Sequence, residues 1–136
     1  MPFVVDASVT LAWYFEDEEH SYAHRVLGLL DGEGAVVPGI WCLEVANGLA
    51  VAERRGRLST ADVSRVVSLL LGLPITVEDT TASRALGRVL ELAREQGLSA
   101  YDATYLELAM QQGLSLATQD AALREAAARA GVPLVE

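Results

Sequence analysis

Apolar residues come in two rhythms along this chain. Phe3-Val4-Val5, running into Asp6, Ala35-Val36-Val37, Pro74 to Val77 and Ser115 to Ala117 are short apolar runs bounded by polar or turn residues, and they read as strands. Pro133 to Val135 reads as a short fifth strand. Between them lie longer stretches whose apolar residues recur at helical spacing. These predict helices over Val9 to Phe15, Glu18 to Leu30, Ile40 to Arg55, Ser59 to Leu71, Thr81 to Gln96, Ala100 to Gln112 and Asp120 to Ala130. Stops follow where expected: Asp31-Gly32, Gly56, Gly97, Gly113 and Gly131. Ser59-Thr60-Ala61-Asp62 is a capping-box pattern at a helix start. Strands alternating with helices predict an α/β fold: three layers, α/β/α, with a central parallel sheet and right-handed crossovers. In such sheets ligands bind outside the carboxyl ends of the strands.

Composition narrows the class. The 136 residues fit one domain, 1–136, with 51% hydrophobic and 21% charged residues, a globular balance. The longest apolar stretch, Leu69 to Val77, is broken by Gly72 and Pro74, so no membrane span is expected. Met1-Pro2-Phe3-Val4-Val5-Asp6 has no basic leader, so no signal peptide and a cytoplasmic location are expected. The single cysteine, Cys42, excludes an internal disulfide and is expected to be a buried, inert thiol on a helix.

Four acids stand out against the apolar pattern. Asp6 ends the first strand, Glu44 sits between Leu43 and Val45 in an apolar helix, Asp102 opens a later helix, and Asp120 follows the fourth strand. Acids near a core are costly unless paired, protonated or bound to a cation, and the chain has no lysine. Each has an ordinary structural account. Asp6 can cap the first helix, Ser99-x-x-Asp102 is a capping-box spacing, and Asp120 suits the first turn of a helix. As a set, two of them lie at strand ends and two near helix starts that can face the same edge. That convergence points to a hard divalent cation, which prefers carboxylate oxygens. Two such ions about 3.5–4 Å apart can activate a water and stabilise the leaving oxygen in phosphodiester cleavage. Ser8 and Thr118 each lie two residues from one of the acids and can orient it. Asn47 shares a helix face with Glu44 and can hold it or touch a substrate.

Absences exclude several rivals. Without lysine there is no P-loop, and no receiver domain of the response-regulator kind. No G-x-G-x-x-G follows the first strand, and Asp6-Ala7-Ser8 lacks the second acid of an aspartyl phosphatase. The net charge of −9 argues against a plain nucleic-acid binder, although divalent ions on the four acids would offset part of it. All ten basic residues are arginine, mostly on what read as solvated helix faces.

Asp6-Ala7-Ser8 after an N-terminal strand, Glu44-Val45-Ala46-Asn47, Ser99-Ala100-Tyr101-Asp102-Ala103 and Thr118-Gln119-Asp120 occur in this order over essentially the whole chain. Together they resemble a PIN-domain ribonuclease, most closely the VapC toxins of prokaryotic toxin–antitoxin pairs. The resemblance implies a Rossmann-like sheet and an endoribonuclease that depends on Mg²⁺ or Mn²⁺. Asp6, Glu44, Asp102 and Asp120 would be both metal ligands and catalytic residues, and Ser8, Asn47 and Thr118 would support them or touch substrate. It also implies an RNA substrate cut to leave a 5′-phosphate and a 3′-hydroxyl, a cognate VapB-type antitoxin and a homodimer. Two other classes stay open on the residues alone. One is a PIN-like binding module without turnover, the other a different Mg²⁺-dependent phosphohydrolase.

Three further features have mixed readings. His20 and His24, after the acidic run Glu16 to Glu19, have metal-ligand spacing but read better as a solvated turn and helix start. Trp13 and Trp41 suit core packing or base stacking. Val51, Val63, Val66, Val67 and Leu70 exceed what a two-sided helix pair needs, and read equally as core or as a groove for a partner.

Overall fold

The computed structural model describes residues 1–15 and 21–136. The expected acidic run Glu16 to Glu19 and His20 lie outside the described residues. Four strands, β1 (Phe3–Val5), β2 (Ala35–Pro38), β3 (Ile75–Glu78) and β4 (Leu116–Ala117), form one sheet in the order β3-β2-β1-β4. Every pairing is parallel: Val4 stands opposite Val36 on one side and opposite Leu116 on the other. The central β1 is buried along its whole length, which is why it reads as an unbroken apolar run.

Among the described residues the sheet is flanked by the α-helices α1 (Ala7–Ala12), α2 (Ser21–Glu33), α3 (Ile40–Arg54), α4 (Thr60–Leu71), α5 (Ala82–Arg84), α6 (Leu90–Gln96), α7 (Ala100–Gln112) and α8 (Ala121–Ala130). One group forms around α7, which packs on β1 and β2 with α6 and α8 beside it. Another forms around α3, which packs on β2 with α1 and α4 against it. Leu106, Leu108, Leu116, Leu123, Val26 and Val37 are almost wholly buried between these layers. Each such side chain contributes about 1.5–3 kcal/mol through burial.

Local chemistry sets most boundaries. The expected capping box at Ser59 is complete: its hydroxyl accepts from the Asp62 amide while the Asp62 carboxylate accepts from the Ser59 amide. Gly113 ends α7 at φ 67°, a left-handed conformation that a side chain would strain. Four expectations are corrected. Pro133 to Val135 forms no strand, only an isolated bridge from Leu134 to Leu116. Pro133 has no N–H to donate, and among the described residues only the bonds from the Leu116 amide to the Pro133 carbonyl and from the Val135 amide to the Leu116 carbonyl join the segment to β4. The helix expected to stop at Asp31-Gly32 runs to Glu33, because Gly34 at φ 74° supplies the turn. The helix expected over Thr81 to Gln96 is interrupted by a π-helical turn, Ala85–Val89. Finally, Cys42 is exposed. Trp41, Val45 and Leu49 form the buried stripe of α3, and the next position along the helix is turned about 100° out of it.

Both tryptophans are core residues. The Trp13 indole donates to the Ala23 carbonyl at 2.8 Å, and the Trp41 indole donates to the Thr10 hydroxyl at 3.0 Å. The Thr10 hydroxyl in turn donates to the Asp6 carbonyl at 3.1 Å. Gly48 permits this close approach, since a Cβ there would lie 2.5 Å from Leu11 Cδ1. The helix carrying Glu44 is thereby fixed against the turn carrying Asp6.

Candidate active site

Parallel strands all end on the same side, so whatever follows β1, β2 and β4 gathers there. Asp6 follows β1 at once. Glu44 lies in the second turn of α3, which follows β2, and Asp120 lies three residues past β4. The chain turns to β2 on one side of β1 and to β4 on the other, which makes the β1–β4 boundary the switch point of the sheet. A pocket of about 130 Å³ opens there, lined by Asp6, Ala7, Ser8, Glu44, Asp102, Tyr105 and Asp120. All four sequence-predicted acids therefore line one cavity.

Each acid is held in its own way. Asp6 is buried and caps α1, its Oδ1 accepting from the Ser8 hydroxyl at 2.9 Å and the Val9 amide at 3.0 Å. Its Oδ2 accepts from the hydroxyl of fully buried Thr118. That same hydroxyl accepts from the Asp120 amide at 3.1 Å, so one side chain ties two acids together. Asp120 caps α8, its Oδ2 accepting from the Leu123 amide at 2.9 Å. The Ser99 hydroxyl caps α7 by accepting from the Asp102 amide at 3.0 Å, and the Asp102 carboxylate, which the Ser99 side chain also steadies, lines the pocket. Glu44 is half-buried, and its Oε1 accepts from the Tyr105 hydroxyl at 2.5 Å.

Tyr105 was not among the sequence-predicted residues. It is 1% exposed, three residues past Asp102 on the same helix face, and that spacing was its one available signal. Asn47 is exposed and is not part of the pocket lining, one turn beyond Glu44. Ser8 contacts Asp6, and Thr118, two residues from Asp120 in sequence, contacts Asp6 as well.

The electrostatics of the pocket are those of uncompensated acids. Burial raises the Asp6 carboxyl above its ordinary range, against the hydrogen bonds from Thr118, Val9 and Ser8, with Asp102 adding to the rise. Burial also raises Glu44, opposed by Tyr105 and reinforced by Asp102 and Asp6. Asp102 is raised by burial and then by Asp120. Among the described residues no basic side chain lines the cavity. Oxygen-only donors with mutual repulsion and no counter-charge fit a hard cation such as Mg²⁺ or Mn²⁺. As the side chains stand, no three acids, histidines or cysteines among the described residues close into a ready-made metal-holding group. The match is therefore one of donor chemistry and charge.

A second buried acid lies elsewhere. Glu107, on α7, is paired with Arg84 through Nη2 to Oε1 at 2.5 Å and Nε to Oε2 at 3.3 Å. Arg84, expected on a solvated face, is thereby taken out of consideration as a substrate contact.

The PIN domain model matches residues 3–129 of this chain. Ribonuclease VapC3 of Pyrobaculum aerophilum is 30% identical over 125 residues, covering 92% of this chain and 94% of that protein. Exonuclease VapC9 of the same organism is 39% identical over 77 residues, 57% of this chain and 55% of that protein. Among solved structures, PAE2754 from Pyrobaculum aerophilum superposes with a TM-score of 0.71 at 30% identity, covering 93% of this chain and 79% of that one.

Proposed function

The chain belongs to the PIN-domain family, and from that premise we propose that it is a VapC-type toxin. In this reading it is an endoribonuclease acting with one or two Mg²⁺ or Mn²⁺ ions at Asp6, Glu44, Asp102 and Asp120. The observation that carries the reading is the meeting of four carboxylates, from four separate segments, in one pocket where no described residue of the lining offers them a cation. When bound, such ions supply charge neutralisation at the scissile phosphate and an acidified water for in-line attack.

The chain's own residues supply the positioning. Ser8, Thr118 and the Val9 amide hold Asp6 from both oxygens. Tyr105 holds Glu44, and the Leu123 amide holds Asp120. Glu44 Oε2 and Asp120 Oδ1 accept no hydrogen bond among the described residues and are left for a ligand. Preset partners of this kind strengthen ligation, and losing one typically costs 10–100-fold in metal affinity or activity.

The partners in this reading are RNA, a VapB-type antitoxin and a second copy of the chain. Support for protein partners comes from an apolar groove of about 290 Å³ between α3, α4 and β3, where Cys42, Val67, Leu71 and Val77 line the surface. No helix among the described residues is long and apolar enough to cross a membrane.

The test is cleavage of a circular RNA by the purified protein with Mg²⁺ or Mn²⁺. Cutting is expected, and EDTA should stop it. Asp6→Asn should still bind RNA while losing at least about a hundredfold in rate; wild-type turnover by that variant overturns the assignment. A circle left intact while linear RNA is shortened from its ends replaces the endonuclease by an exonuclease.

A further inference from the structure

Tyr22, in the first turn of α2, has two guanidinium groups against its ring. Arg25 Cζ and Arg124 Cζ each lie 5.5 Å from the ring centroid, within cation–π range. The tyrosine is fixed, its hydroxyl donating to the Val135 carbonyl at 2.6 Å and lying against the Thr118 backbone. Arg124 Nη1 donates to the Thr118 carbonyl at 2.7 Å. Thr118 is also the residue whose hydroxyl joins Asp6 to Asp120. One residue therefore separates the Arg124 guanidinium from two of the four pocket acids.

Among the described residues, neither cation is matched by a buried anion. No described carboxylate pairs with Arg25. Arg124 meets Glu136 at 3.6 Å, but that glutamate is 79% exposed, and such pairs are weak and readily exchanged. Arg84, by contrast, is locked to buried Glu107, and Arg65 and Arg88 are paired along their own helices. Two like charges brought to one ring repel each other, and a passing phosphate chain relieves that repulsion. Guanidinium forks suit phosphate oxygens, and their ring contact lowers the cost of ordering them.

We propose that Arg25 and Arg124, ordered on Tyr22, form a phosphate-gripping step that holds single-stranded RNA as it leaves the acid pocket on the β4 side. The proposal rests on the ribonuclease reading and deepens it. It answers how a chain of net charge −9 draws a polyanion to an acidic cleft: the pull is local, beside the site.

The probe is a short fluorescein-labelled single-stranded RNA of mixed sequence, with anisotropy read in Mg²⁺ on a cleavage-blocked Glu44→Gln background. Salt is varied over about 50–200 mM. Arg25→Ala should weaken binding severalfold and lower the slope of log K against log salt by about 0.7, the loss of one single-strand phosphate contact. Arg25→Ala with Arg124→Ala should lower the slope roughly twice as far. Arg65→Ala removes one charge from α4, beside the β3 edge of the sheet, and serves as the charge control. The inference is overturned if the double variant binds with the unaltered background's affinity and slope, or weakens binding no more than Arg65→Ala does. RNA cleavage by the wild-type chain in the same buffer separates the two readings. Cleavage with unchanged binding in the variants sinks the arginine step alone. A wild-type chain that neither binds nor cuts RNA sinks both.

Discussion

Glu44 and Glu107 each interrupt an apolar helix, and the fold uses them differently. Glu107 is neutralised by Arg84, whereas Glu44 meets a tyrosine and two further acids. Asp6, Glu44 and Asp102 are all raised above the ordinary carboxylate range of about 4, burial being the first cause in each case. A raised acid holds its proton more tightly in the folded chain than in the unfolded one. Ion-free protein therefore gains stability as pH falls from neutral through the raised values. That stabilisation is complete below about 4 and is lost again as pH rises. Urea melts in EDTA should show a higher midpoint near pH 5 than near pH 7, and saturating Mg²⁺ should flatten the difference because the ion and the proton compete. Asp102→Asn leaves the Ser99 cap of α7 in place, so it should raise the ion-free midpoint near neutral pH and shrink the pH effect. Identical pH profiles for wild type and this variant would show that the pocket acids do not carry the dependence.

Among the elements, the segment from Ala82 to Gln96 departs most from expectation. Its apolar spacing suits one helix, yet a π turn at Ala85–Val89 shifts Arg84 out of the register of Leu90–Gln96. Arg84 is then placed to reach Glu107 on α7 with a forked contact. A buried pair adds little net stability but is costly to break from one side. Arg84→Ala should destabilise the fold by about 3–5 kcal/mol, by leaving the Glu107 charge unpaired. Replacing both partners with methionine should restore most of that loss. Denaturant melts of the single and double variants check this, and equal losses in the two would argue for packing rather than charge. The helix starts behave more simply: Ser59 and Ser99 cap as their spacing predicts, and Thr81 and Asp120 cap as well.

At the scale of the molecule, the strand order β3-β2-β1-β4 leaves β3 at one edge and puts the acid pocket towards the other. The groove beside β3 is therefore a second surface, separate from the chemistry. Leu71, Val77 and Val67 are exposed there, Leu71 by 84%, more apolar area than a lone domain needs to show. A homodimer seated on this face is expected to give twice the chain mass in light scattering after gel filtration. Leu71→Glu should shift it to the monomer without loss of helical signal, and a dimer unaffected by that change must use another face.

Local pattern was enough to predict the alternating elements, the parallel sheet and most helix caps, and to single out the four acids as candidates. Those features depend on residues near one another in sequence, where spacing, turn chemistry and hydrophobic period act directly. The exposure of Cys42, the π turn, the use of Tyr105 and the pairing of Glu107 with Arg84 depended instead on which helix face met which neighbour. The same held for the fate of the arginines: Arg84 became structural and Arg124 came to lie beside Thr118. These outcomes join positions far apart in the chain, Tyr105 with Glu44 and Thr118 with Asp6. Only the packed sheet brings such side chains within hydrogen-bond distance, because their encounter is set by strand order and crossing helices and not by any local preference.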